Sequence, residues 1–298
     1  MSDICKLYIN NEEYTLIKNY KDIEKYRKSL NRLVKSSFGF DFEDWYQKGF
    51  WTDKYIPYSL LFQNEVVANI SINPIDFLID KKIVKTLQIG TVATEEAFRH
   101  RGLSRALMEI ILREQDASCE LIYLYANDTV LDFYPKFGFQ KADEYIYSKS
   151  FNQDSKKLSK RKLIMNRESD LALITRLVNH TIPISKVQML GNPGLVFFYL
   201  TSFMSDNIFY FDEIDLAAVV EIEDNAIKLI DIFSEKSFDL NKVIQSLVEK
   251  DGTKVSLGFT PMQTDSFDCE KLREEELTFF INKDCLIDKS RFPALSHA

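Results

Sequence analysis

Gln88-Ile89-Gly90-Thr91-Val92-Ala93-Thr94, followed by Arg99-His100-Arg101-Gly102-Leu103-Ser104-Arg105-Ala106-Leu107-Met108-Glu109-Ile110-Ile111-Leu112, is the stretch on which the reading of this chain turns. Its first part is apolar and β-rich and predicts a strand. Its last part repeats apolar residues at helical spacing and predicts a helix. Between them lies a turn with one glycine and two arginines. The first N–H groups of a helix have no intrahelical acceptor, and the helix dipole places partial positive charge where they point. Gly102 lets the backbone approach an anion closely, and Arg99 and Arg101 add charge-assisted hydrogen bonds. The pattern predicts a pyrophosphate-binding turn.

The elements downstream narrow that reading. Cys119 to Asn127 alternates as a strand does and is rich in aromatics. Asp128 to Phe139 then reads as a helix, with Asp128 as its N-cap and Gly138 at its left-handed stop. Together these elements resemble the core of the GNAT superfamily of acyl-CoA-dependent N-acetyltransferases. That family carries an Arg/Gln-x-x-Gly-x-Gly/Ala turn, matched here at Arg99 and Gly102, with Ser104 where Gly or Ala is usual. It also carries a Phe-Tyr-x-x-Phe-Gly-Phe segment, matched by Phe133-Tyr134-Pro135-Lys136-Phe137-Gly138-Phe139.

The resemblance implies a mixed α+β sheet and acetyl-CoA as the acetyl donor. It implies that the turn of Arg99, His100, Arg101, Gly102, Leu103 and Ser104 holds the pyrophosphate. Backbone groups of Val92, Ala93 and Thr94 would pair with the pantetheine arm, with Val92 as the oxyanion donor. Tyr134 would be the general acid that protonates the leaving thiolate, since its ordinary pKa of about 10 lies near that of a thiol. Asn127 would either hydrogen-bond the cofactor arm or cap the next helix. No general base stands out: Glu95 and Glu96 fall in a loop where acids are solvated.

Composition fits an ordinary globular enzyme. The chain has 298 residues, 45% apolar and 28% charged, a length that favours two domains. No apolar run is long enough to cross a bilayer, and the N-terminus shows no signal-peptide pattern. Cys5, Cys119, Cys269 and Cys285 are widely scattered, so neither a metal site nor a disulfide framework is expected, and the cytoplasm is the default compartment. A net charge of −7 argues against nucleic acid as a partner.

Before the turn, Lys21–Lys35 predicts a helix stopped by Gly39, and Phe42–Lys48 a second short one. One strand is expected ahead of them. Strands follow at Tyr58–Gln63, Val66–Asn73 and Phe77 through Val92, and a closing pair lies around Tyr145–Ser150. A GNAT domain over residues 1–151 is therefore expected, with 152–167, rich in Lys and Arg, as a solvated linker.

Residues 168–298 predict a helix at Asp170–Asn179 and a helix or strand at Leu195–Phe203. Strands follow at Ile208–Phe211, Leu216–Glu221 and Ala226–Phe233, then a helix at Asp239–Lys250 and a strand at Lys254–Thr260. This order repeats that of Tyr58 to Asn127. The turn Ser234-Glu235-Lys236-Ser237-Phe238-Asp239 has no glycine and two acids, so a degenerate GNAT-like domain without a cofactor site is expected. The alternative is an unrelated α+β lid, such as a sterol-carrier-like domain.

Asp44 and Trp45 fall in the region that flanks the acceptor in this family, where aromatic rings hold amines or fill the core. Phe292 and Leu295 predict a docked C-terminal tail. In a relative with a sterol-carrier-like domain the chain terminus reaches the catalytic site, which makes His297 and Ala298 acceptor-side candidates. The resulting expectation is an N-acetyltransferase acting on a small primary amine. The alternative is a non-catalytic acyl-CoA-binding or sensing protein.

Overall fold

The computed structural model describes residues 4–115, 118–154, 156–273, 277–283 and 288–297. Strands β1 (Ile4–Ile9) and β2 (Glu12–Lys18) form a hairpin. Its two-residue turn places Asn10 and Asn11 at φ 50° and 65°, a left-handed pair that asparagine tolerates and that suits strand twist. The single strand expected there is thus two. Helix α1 (Glu24–Phe38) stops at Gly39, whose φ is 84°, and α2 (Glu43–Gln47) follows.

Three long strands come next: β3 (Ile56–Phe62), β4 (Glu65–Ile79) and β5 (Lys82–Thr94). β4 runs straight through Pro74, where the sequence suggested a break. Its outer neighbour β3 pairs only as far as Ile72, and β10 (Val187–Leu190) pairs with Asp76–Ile79. Pro74 sits in the gap between those two ladders, so its missing N–H costs no ladder bond on that side. Helix α3 (Leu103–Gln115) then leads to β6 (Leu121–Ala126), which lies parallel to β5.

Residues 128–137 are two short 3-10 turns rather than the expected helix, and the cap is Asn127, not Asp128. Pro135 within the second turn cannot serve the i→i−4 ladder of a continuous helix.

Beyond this point the strands are β7 (Gln140–Lys141), β8 (Tyr145–Phe151) and β9 (Arg161–Lys162), then β11 (Ile208–Phe211), β12 (Leu216–Glu223), β13 (Ala226–Ser234), β14 (Thr253–Leu257), β15 (Asp268–Lys271) and β16 (Thr278–Ile281). The helices are α4 (Glu168–His180), α5 (Pro193–Ser202) and α6 (Leu240–Leu247). The ambiguous Leu195–Phe203 segment is therefore helical.

Among the described residues one sheet has the order β1-β2-β3-β4-β5-β6-β16-β7, with β10 on the far end of β4. The other has the order β15-β8-β14-β13-β12-β11-β9. The two sheets exchange strands. β8, expected to close the first sheet, pairs with β14 and β15 in the second. β16, from the far end of the chain, enters the first sheet between β6 and β7. A cut near residue 151 therefore does not separate the sheets. Nor is 152–167 a free linker: β9 pairs with β11, and Lys157 and Lys160 both pair with Glu249.

Alternation along β6 shows how the first sheet is covered. Ile122, Leu124 and Ala126 pack with Leu107 and Ile111 of α3. On the other face Tyr123 joins Phe77, Leu195 and Phe292, while α1 and α2 cover Ile17, Leu61 and Ala93. The tail is docked as expected, with Phe292 and Leu295 fully buried.

Candidate active site

The parallel ladder of β5 and β6 ends at Ile89 and Leu124. β5 continues to Thr94 and β6 to Ala126 without pairing to each other, so the strands part in a V. The departure has a local cause. The pairing of β4 with β5 shifts register between Asn69 and Ser71, which leaves Thr91 and Val92 out of the ladder as a bulge. Thr91 takes φ 47°, a strained value for a β-branched residue.

A buried polar network holds it there. Tyr55 Oη lies 2.6 Å from Thr91 Oγ1, and Asn69 Nδ2 donates to the Thr91 carbonyl at 2.9 Å. Asn69 also bonds the hydroxyls of Ser59 and Ser71.

After the V the backbone enters the glycine turn. His100 and Gly102 both have positive φ, 62° and 82°, and α3 begins at Leu103. The hydroxyls of Thr94 and Ser104 meet at 2.8 Å and tie the end of β5 to the first turn of α3. The two arginines divide their work. Arg101 donates to Glu12 at 3.0 Å and to the Ala97 carbonyl, and lies over the Phe98 ring, so it braces the turn against the first hairpin. Arg99 is exposed, donates from Nε to the Thr94 carbonyl at 3.3 Å, and has no acidic partner among the described residues. His100, Glu95 and Glu96 are exposed.

Tyr134 sits on the α3 face in the same apolar cluster as Val92, Leu103, Leu124 and Ala126. It is 4% exposed, with its ring 5.2 Å from Phe133 and 5.6 Å from Phe280. Burial pushes its hydroxyl up to about 12, so it stays protonated at neutral pH. Among the described residues that hydroxyl has no hydrogen-bond partner. Asn127 Oδ1 accepts from the Thr129 N–H and hydroxyl, the capping role.

A family model described as the acetyltransferase (GNAT) domain matches residues 20–142. That span holds the V, the glycine turn and Tyr134. Residues 20–142 are a GNAT acetyltransferase domain.

Solved structures show the same fold over nearly the whole chain. Eis1 from Mycobacterium abscessus is 12% identical with a TM-score of 0.56, covering 94% of this chain and 73% of that one. A conserved protein from Enterococcus faecalis V583 is 13% identical with a TM-score of 0.55, covering 99% and 73%. A GCN5-related N-acetyltransferase from Kribbella flavida is 15% identical with a TM-score of 0.53, covering 94% and 71%. None of the curated proteins compared matches the chain.

The other face of the GNAT sheet carries Asp44 and Trp45. Trp45 is 3% exposed, stacks on Trp51 at 5.6 Å and donates to the Gly194 carbonyl of α5 at 2.8 Å. It fastens the GNAT domain to the second half and offers no free face to an amine. Asp44 points outward and pairs with Lys48 at 2.7 Å. Trp45 thus takes the core-filling role that was its other reading, and Asp44 lies at the surface.

His297 lies against β6. Its ring stacks on Tyr125 of β6, with centroids 3.7 Å apart. Its carbonyl accepts from Tyr199, and that of Ser296 accepts from Tyr123 at 3.0 Å. Burial first, and then Arg291 and Lys228, hold its pKa well below the usual histidine value. Its Nε2 has no hydrogen-bond partner among the described residues. Ala298 lies outside the described residues. By strand alternation Tyr125 and His297 lie on the face opposite Tyr134.

Sequence reasoning missed Tyr55, Asn69, Thr91 and Tyr125. Asn69 carried a signal, since an amide inside the apolar run Val66-Val67-Ala68-Asn69-Ile70 needs a buried partner.

Proposed function

We propose that this chain is an N-acetyltransferase that moves acetyl from acetyl-CoA directly to a small primary amine. The observation that carries the reading is Tyr134: its ring is buried, its hydroxyl is protonated and unpartnered among the described residues, and it clusters with Val92 where β5 leaves β6. In this mechanism the neutral amine attacks the thioester carbon and charge develops on the carbonyl oxygen, where the Val92 N–H at the bulge donates. When the tetrahedral species collapses, the C–S bond breaks, the thiolate takes its proton from Tyr134, and the proton shed by the acylated nitrogen passes to solvent, from which Tyr134 is reprotonated. The donor's pyrophosphate would rest on the Arg99–Ser104 turn, with Arg99 supplying charge and Arg101 holding the loop.

Titration calorimetry with acetyl-CoA on the wild type and on Arg99→Glu tests the reading. Micromolar binding that the charge reversal abolishes is the expected result, and no binding by the wild type contradicts it. Binding without turnover of any primary amine would favour an acyl-CoA sensor instead.

A further inference from the structure

The second half repeats the GNAT cleft in detail. β13 runs parallel to β14 as β5 does to β6, and each ladder holds four residue pairs. The last pairs are Ile89 with Leu124 and Leu229 with Leu257, and each leading strand then continues five residues, to Thr94 and to Ser234. Each also carries a bulge there: the β12–β13 register shifts so that Ile230 is left out of the ladder. A helix follows each strand, α3 after β5 and α6 after β13. At the apex of the second cleft Gly258 lies so close to β13 that a side-chain carbon there would come 2.4 Å from the Ile230 carbonyl oxygen.

Outward from that apex the chain's own 182–186 segment enters the cleft, the Ile182 N–H donating to the Ser234 carbonyl and the Lys186 N–H to that of Thr260. A cavity of about 550 Å³ opens between β13, the first turn of α6 and the segments at 182–184 and 262–267. Ile184, Ile232, Phe238, Leu240, Phe259 and Phe267 make its wall, and Ser237 and Ser266 lie at its rim. A volume of this order is that of pockets that enclose a small molecule.

The phosphate machinery is gone, and its place is taken. Asp239 caps α6, and its carboxylate accepts from the N–H groups of Asn241 and Lys242 at 2.9 and 3.3 Å. The helix donors that would meet a phosphate already hold an anion of the chain itself. Lys236 and Lys242 do not line the cavity, and Glu235 pairs with Arg176.

We propose that this cavity is a second ligand site, one that takes an uncharged, predominantly apolar small molecule and rejects anions, CoA thioesters included. The expected loss of the cofactor site thus takes a definite form: the chain's own segment and the Asp239 cap occupy its place, and an apolar cavity is left beside them.

The test is fluorescence titration of the full chain with the neutral probe N-phenyl-1-naphthylamine. The expected dissociation constant is on the order of 10 µM. Ser237→Trp at the rim and Ile184→Trp in the wall should each weaken binding about tenfold or more while the melting temperature is kept. Decan-1-ol should displace the probe, decanoate should do so much less well, and saturating acetyl-CoA should not. Asp239→Asn keeps the cap and removes the charge, so it should improve competition by decanoate about tenfold. No probe binding, binding unchanged in both filled variants, or displacement by acetyl-CoA would overturn the proposal. Equal competition by decanol and decanoate would overturn the rejection of anions.

Discussion

Asn69 Nδ2 donates to the carbonyl of Thr91 across 2.9 Å, and this one bond joins the buried polar network of the first sheet to the bulge that opens the V. Asn69 is fully buried, so its loss leaves the Thr91 carbonyl and the Ser59 and Ser71 hydroxyls short of partners. Asn69→Ala is expected to cost about 3 kcal/mol in denaturant unfolding. Relaxation of the bulge is expected to weaken acetyl-CoA binding about tenfold. Affinity unchanged in a folded variant would separate the network from the site.

Arg99 and Arg101, two residues apart, should not be equivalent. Arg101→Gln removes the brace to Glu12 but no proposed ligand contact. Its acetyl-CoA affinity should stay within about threefold of wild type at 0.15 M salt. Calorimetry that finds Arg101→Gln as damaging as Arg99→Glu would show that both arginines grip the anion.

Asp231 is buried, and desolvation lifts its carboxyl to about 7, with only the Ile232 N–H bonded to it among the described residues. The folded state therefore holds a proton that the unfolded chain releases near pH 4. Between those values the folded chain binds more protons, so stability falls as pH rises and the penalty is complete above 7. Asp231→Asn should thus gain stability over wild type on going from pH 5 to pH 8, by about 3 kcal/mol. A gain independent of pH in urea titrations would contradict this origin.

His297 has the opposite sign. Its folded pKa is depressed, so the unfolded chain takes up a proton first, and stability falls as pH drops below about 6.5. His297→Phe keeps a ring to stack on Tyr125 and should flatten that acid-side loss. The same slope between pH 6.5 and 5 in wild type and variant would show that His297 does not titrate in the fold.

How much of this was visible in the sequence depends on how local the cause was. The Arg99–Ser104 turn and helix α3 carry their own signals in glycine position and helical spacing and appear where expected, whereas Tyr134–Phe137 is a 3-10 turn where a helix was expected. The strands β11 to β14 were legible from alternation, and with them the repeat of the first half. The exchange of β8 for β16 was not, because Tyr145–Phe151 alternates as any edge strand does and nothing within it names a partner more than a hundred residues away. Trp45 looked available because a five-residue helix has little periodicity from which to read burial, and its partner Gly194 belongs to α5. The Thr91 bulge is set by tertiary hydrogen bonds from Tyr55 and Asn69, which a local pattern cannot encode.

The most direct test of the central claim is Tyr134→Phe, with acetyl-CoA affinity and amine turnover measured on the same preparation. Phenylalanine keeps the packing against Phe133 and Phe280 and removes only the hydroxyl. The account predicts unchanged binding and a fall in kcat of about a hundredfold or more. Wild-type turnover from the variant would contradict it and remove Tyr134 from the chemistry.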